Sequence, residues 1–235
     1  MSVTALPFAV QAAFWVAVTL ALYAGALYAQ RRLGNSPLAN PVLLASAPII
    51  AFLAFSSVPF ASYDLGGRVL LFFLGPATVA LAVPFFRNLR KVRAVFLPLF
   101  IALVAGSVTA VVSAVAIAYA LGADMATVTS FAPKSITTPI AMGVAEEIGG
   151  LPVLTAGFVI ATGIIGAVLG GPMLKLAGLK DERALGLGLG VAAHGIGTAR
   201  AFQVSPVTGT FSGVAMTLNG ILTALLLPVI WKLFF

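Results

Sequence analysis

Apolar runs of about twenty residues recur along this chain with almost no charge inside them. A helix needs about 20 apolar residues to cross the hydrocarbon of a bilayer, so this one pattern leaves few alternatives. Only 8% of the residues are charged, against about 25% in a soluble domain. Such a chain cannot cover a surface that faces water. With 61% hydrophobic residues over 235 positions, the chain predicts an all-α, polytopic membrane protein of about six to eight spans joined by short loops. The net charge of +7 comes from Lys and Arg at the ends of apolar runs, which fits control of topology and not nucleic-acid binding. The absence of cysteine excludes disulfides, thiolate-bound metals and thiol catalysis. No basic n-region precedes the first run, so that run reads as a span and not as a signal peptide.

Taken in order, Leu6 to Ala29 predicts the first span, followed by Arg31 and Arg32 on the cytoplasmic side. This puts the N-terminus outside. Residues 37–59 predict a second span, interrupted by Pro41 and Pro48. Tyr63 to Arg68 reads as an outer loop, and Val69 to Phe86 as a third span broken near Gly75-Pro76 and Pro84. Arg87 to Arg93 carries four basic residues and no acid, the strongest cytoplasmic marker in the chain. Ala94 to Leu121 is a fourth span, and Leu151 to Met173 a later one with helix-packing glycines. Residues 127–148 read either as a full span or as a re-entrant hairpin. The loop from Lys175 to Arg183, with three basic residues, favours the hairpin because it belongs in the cytoplasm. Residues 184–203 predict a short helix to Ala193, then irregular backbone through HGIGTAR. Gly209 to Leu233 is the last span, ending outside. TVALAVPFF and LTALLLPVI each close a span after a polar or glycine break, the pattern of an inverted repeat.

Polar groups inside lipid are costly and tend to line a cavity or pathway. They concentrate between Phe131 and Phe211. Thr137 and Thr138 before Pro139 have the chemistry of a helix start, and a helix N-terminus offers free N–H groups to an anion. Gly149-Gly150-Leu151-Pro152 reads as a second break and restart. His194 is the only histidine in the chain, and Gly195, Gly197, Thr198 and Arg200 follow it. Arginine holds a carboxylate with two parallel hydrogen bonds, and histidine changes charge near neutral pH. Ser135, Thr137, Thr138, Pro139, Gly149, Gly150, His194, Gly195, Gly197, Thr198 and Arg200 form the candidate substrate site. His194, Glu146 and Glu147 are the candidates for proton coupling. Each has a bland alternative: hydroxyls bonding back to their own helix, a structural histidine, an arginine or lysine reaching for the membrane surface. No metal-ligand spacing, phosphate-binding loop or nucleophile–base pair is present. The chain reads as a non-enzyme with no cofactor.

The segments LGPATVALAVP (74–84), KSITTPIAMGVAEEIGGLPVLTA (134–156), HGIGTARA (194–201) and FSGVAMTLNGILTALLLP (211–228) resemble the LrgB/CidB family over nearly the whole chain. Ser135 to Pro139 stands where that family usually has S-V-T-T-P, and Gln203 where it often has Glu. The resemblance implies one membrane domain over 1–235, with 1–125 mainly scaffold and 126–235 the motif-bearing core. It implies two competing functions. One is alternating-access, elevator-like transport of small monocarboxylates of the glycolate, glycerate, pyruvate or lactate type, by a homodimer in the bacterial inner membrane. The other is an antiholin-like regulator of murein hydrolase export and autolysis, acting with a small LrgA/CidA-type membrane partner. Broken helices with buried polar residues favour the first.

Overall fold

The computed structural model describes residues 7–36, 38–80, 86 and 89–234. All regular structure among them is helical: α1 (Phe8–Arg32), α2 (Pro41–Phe55), α3 (Phe60–Ala80), α4 (Leu89–Ala94), α5 (Phe96–Ala120), α6 (Met125–Phe131), α7 (Thr138–Glu147), α8 (Pro152–Leu176), α9 (Glu182–Val204) and α10 (Pro206–Phe234). The all-α membrane class is as expected. Helices α1, α5, α8 and α10 are long and apolar enough to cross a bilayer. The chain is a multi-pass membrane protein. Leu6, Pro84, Arg87, the side chain of Thr78 and most of TVALAVPFF lie outside the described residues.

Residues 1–82 and 83–235 form two compact units. In the first, α1 packs against α2 and α3. Trp15 Nε1 donates to Ser62 Oγ at 3.2 Å, and Ser62 Oγ donates to Gln11 Oε1 at 3.0 Å. Tyr63 to Arg68 is not the outer loop that its composition predicts: it lies inside α3. The reason is local. Arg68 Nε meets Asp64 Oδ2 at 2.7 Å, an i,i+4 pair that supports a helix, and Gly66 lets α3 close on α1, where a Cβ would lie 2.6 Å from Trp15 Cβ. The turn falls earlier, before Phe60. Pro41 does not interrupt α2. It occupies the first turn, where its missing N–H costs nothing, behind Asn40, whose Oδ1 accepts from Val42 N at 2.9 Å and Leu43 N at 3.2 Å.

The second unit holds every polar motif described above except LGPATVALAVP. Its core fixes the direction of each helix. Near one end, Leu99 of α5 packs with Phe211 and Val214 of α10 and Leu187 of α9. Toward the other end, Val111 and Val115 of α5 join Val159 of α8 and Leu227 and Trp231 of α10. Helices α5 and α10 therefore run the same way, and α8 runs back. The helices close tightly where glycine faces a neighbour: a Cβ on Gly166 would lie 2.5 Å from Ala193 Cβ, and one on Gly190 would lie 2.2 Å from Ser212 O. Small residues at facing positions supply the dispersion contact that holds helices together in lipid.

Candidate functional site

Two short hairpins enter this unit from opposite ends. The first is α6 and α7. Their seven and ten residues span about 10 and 15 Å, so neither crosses a bilayer of about 30 Å. Residues 127–148 thus form the re-entrant alternative and not a full span. Asp124 caps α6 by accepting from Thr127 N at 2.7 Å. Outside the membrane-buried part, that bond holds the Asp124 carboxyl below its ordinary range. The mouth of the hairpin is pinned to α8: Leu151 N donates to Ser130 Oγ at 2.7 Å, and Thr155 Oγ1 donates to Ser130 O at 2.9 Å. The turn at 132–137 lies deeper. Thr137 and Thr138, with Pro139 in the first turn, start α7 as the sequence predicts, although no side chain caps it.

The second hairpin is α9, and its sharp turn is a single residue. His194 has φ 39° and ψ −129° inside an otherwise helical segment. Before it, Gly186 and Gly190 lie against Thr208 and Ser212 of α10. After it the chain comes back: Thr198 Oγ1 lies 2.9 Å from Ser212 Oγ, and a Cβ on Gly209 would strike the Phe202 ring at 2.1 Å. The irregular backbone predicted through HGIGTAR is thus confined to His194, and residues 195–204 are helical. Two bonds hold the tip. His194 Nε2 donates to Val159 O at 2.9 Å, and Thr198 Oγ1 donates back to His194 O at 2.8 Å. A carbonyl only accepts, so Nε2 carries a proton.

The two tips meet at Asn219, midway along the 29-residue α10. Its Nδ2 lies 3.4 Å from Ser135 O in the first tip and 3.3 Å from Val191 O beside the second. Next to Ser135, Lys134 is half-buried, with Nζ donating to Ser135 Oγ at 3.2 Å and lying 5.5 Å from the Phe131 ring centroid. Among the described residues no carboxylate forms an ion pair with Lys134. Asn219 thus ties Ser135 to the end of the helix that His194 breaks, and Thr137, Thr138 and Pro139 follow Ser135 along the same tip. The structure places Gly149 and Gly150 elsewhere. They turn the chain at the mouth of the first hairpin, where Gly150 abuts Ser130, so the second break meeting the first is His194 and not Gly149-Gly150.

The remaining residues are spread along the hairpins. Glu146 and Glu147 are exposed at the far end of α7, about 14 Å from Thr138 along the helix, and Glu147 Oε1 lies 3.5 Å from Lys232 Nζ. Gly197 and Thr198 face the neighbouring helices and are buried. Gly195 is exposed. Arg200 is half-buried six residues past the tip, about 9 Å along the helix, with Nη1 donating to Gln203 Oε1 at 2.9 Å. Lys134 and Asn219 fall outside the candidate set, although the sequence offers Lys134 as a partner for a glutamate or for substrate and Asn219 as a further polar group. Their partners explain why: Asn219 reaches Ser135, 84 positions away, and nothing local marks that meeting.

The LrgB-like family profile matches residues 19–233. The chain is 33% identical over 228 residues to the holin-like protein CidB of Staphylococcus epidermidis, covering 96% of this chain and 98% of the relative. It is 34% identical over 190 residues to the antiholin-like protein LrgB of Bacillus mycoides, covering 81% and 83%. A Bacillus subtilis relative, YwbG, is 37% identical over 211 residues, covering 90% and 93%. No solved structure matches. With the match spanning both hairpins and α10, the chain belongs to the LrgB-like family.

Proposed function

We propose that the protein is a transporter of small monocarboxylates working by alternating access, with the site between the two hairpin tips. The observation that carries this reading is Lys134: a half-buried cation at the first hairpin tip, beside the Ser135 that Asn219 meets midway along α10, with no carboxylate partner among the described residues. A charge at that depth is expensive unless compensated. A bound carboxylate supplies the compensation, and the free N–H groups and positive end of α7 add to it. The acids proposed are of the glycolate, glycerate, lactate or pyruvate type. Thr137 and Thr138 would hydrogen-bond the acid. His194 would act by holding the second tip in place, and Arg200 by drawing anions toward it along the returning helix. Hairpins that enter from opposite ends and stop at one level offer a barrier on either side, which alternating access requires. The proposal extends to a homodimer in the bacterial inner membrane, with loop 177–181 cytoplasmic and the C-terminus outside.

A second reading has its own support: the relatives are named holin-like and antiholin-like. On that reading the chain regulates lesions in the membrane and murein hydrolase export, with a small LrgA/CidA-type partner. Proteoliposomes separate the two. Transport predicts saturable uptake of radiolabelled glycolate or pyruvate, no leakage of a trapped dye, and weaker uptake at low acid concentration in Lys134→Met. Dye leakage, or control of leakage by the small partner without any saturable uptake, would support the second reading and sink the first.

A further inference from the structure

Asn219 is 1% exposed, and its Oδ1 accepts no hydrogen bond from any described residue. Leaving a buried amide oxygen unsatisfied is costly. The other end of the amide is also poorly served. Its two contacts, 3.3 Å to Val191 O and 3.4 Å to Ser135 O, exceed the usual N–H···O separation of about 2.9–3.0 Å. Half a turn of the amide exchanges Nδ2 and Oδ1. Three neutral oxygens, Asn219 Oδ1, Ser135 O and Val191 O, would then face one point. A cation bound by oxygens at about 2.4 Å holds adjacent ligands about 3.4 Å apart, which matches the separation of the Asn219 amide from each of the two carbonyls. Val191 also lies in the last turn before the break at His194, where the negative end of the helix dipole favours a cation.

We infer that Asn219, Ser135 and Val191 form a site for a monovalent cation of sodium's size, closed by rotation of the Asn219 amide. No carboxylate is among the ligands, so a divalent ion lacks the charge it needs. The ion would join both hairpin tips to α10. Lys134 sits on the same tip and opposes a second positive charge, so cation and carboxylate bind best together, each raising the other's affinity. The inference deepens the transport reading by naming the coupled ion, and it is tested without any acid, so the two fail separately.

The test compares the melting temperature of the purified full-length protein in NaCl and in choline chloride at equal concentration. Sodium is expected to raise it by about 2–4 °C, and by more in Lys134→Met, where the competing charge is gone. Asn219→Leu should abolish the difference. Should that variant fail to fold, Asn219→Asp, which keeps the shape and adds a negative charge, should enlarge it. No difference between sodium and choline in both the wild type and Lys134→Met overturns the inference, as does a sodium effect that survives Asn219→Leu. Acid uptake that proceeds equally in sodium and choline would refute the coupling and leave the transport reading standing.

Discussion

His194 shows how one residue can serve geometry. Its φ of 39° is a backbone conformation in which a Cβ costs about 1–2 kcal/mol and glycine is at ease. The chain keeps histidine there, and the ring spans to Val159 O at 2.9 Å. Removing the ring loses that bond in any variant, so the backbone contribution can be isolated. His194→Gly should be more stable than His194→Ala by about 1 kcal/mol, read from thermal unfolding in detergent. The reverse order would show that the turn is not strained. Lys134 gives the companion prediction for binding. A hydrogen bond to a charged group contributes about 1.5–3 kcal/mol, so Lys134→Met should raise the KM for acid about 10- to 100-fold in the uptake assay. Arg200→Ala, about 9 Å from the tip, should cost less and show most at low salt. At this scale the sequence was informative about types and silent about partners. It marked His194 as singular and Thr137-Thr138-Pro139 as a helix start. It gave no sign that Nε2 of His194 is committed to a carbonyl 35 positions away.

The second hairpin depends on how closely α9 can lie against α8 and α10. Gly157 and Gly190 are both in helices, yet they differ in what they face. A Cβ on Gly157 meets nothing within 4 Å, whereas one on Gly190 meets the Ser212 carbonyl at 2.2 Å. Backbone cannot step aside as a side-chain tip can. Gly190→Ala should destabilise by about 1–3 kcal/mol, with a clear fall in melting temperature and in uptake, while Gly157→Ala should leave both unchanged. Equal effects would mean that α9 and α10 do not pack as described. Glycine content led the sequence reading to expect irregular backbone from His194 to Arg200. The glycines act otherwise: Gly197 gives room for the returning helix beside Ala193 and Leu189. Propensity disfavours glycine in a helix by about 1 kcal/mol, and close packing overrides it here. The Tyr63–Arg68 segment errs in the same direction, since an i,i+4 ion pair and a glycine contact to Trp15 keep it helical.

For the molecule as a whole, the class was legible because hydropathy and length act over whole segments, and the break after Ala193 because glycines crowd that stretch and disfavour a continuous helix. The meeting of two tips on Asn219 was not, since it joins residues 135, 191 and 219 through packing alone. The hairpin arrangement predicts which positions share a side. The chain has no cysteine, so single cysteines report cleanly. Lys180→Cys and Ser205→Cys should react with an impermeant thiol reagent from one side, and Gly149→Cys from the other. Labelling of positions 180 and 205 from opposite sides would make α9 a full span. The most direct test of the central claim is protection of a cysteine at the first tip. Thr137→Cys, in protein reconstituted with its fold intact, should be labelled more slowly when glycolate or pyruvate is present. Gly149→Cys at the hairpin mouth should react at the same rate with or without acid. Protection at 137 alone is the predicted result, and equal labelling of Thr137→Cys with and without every acid of this class would contradict a carboxylate site between the tips.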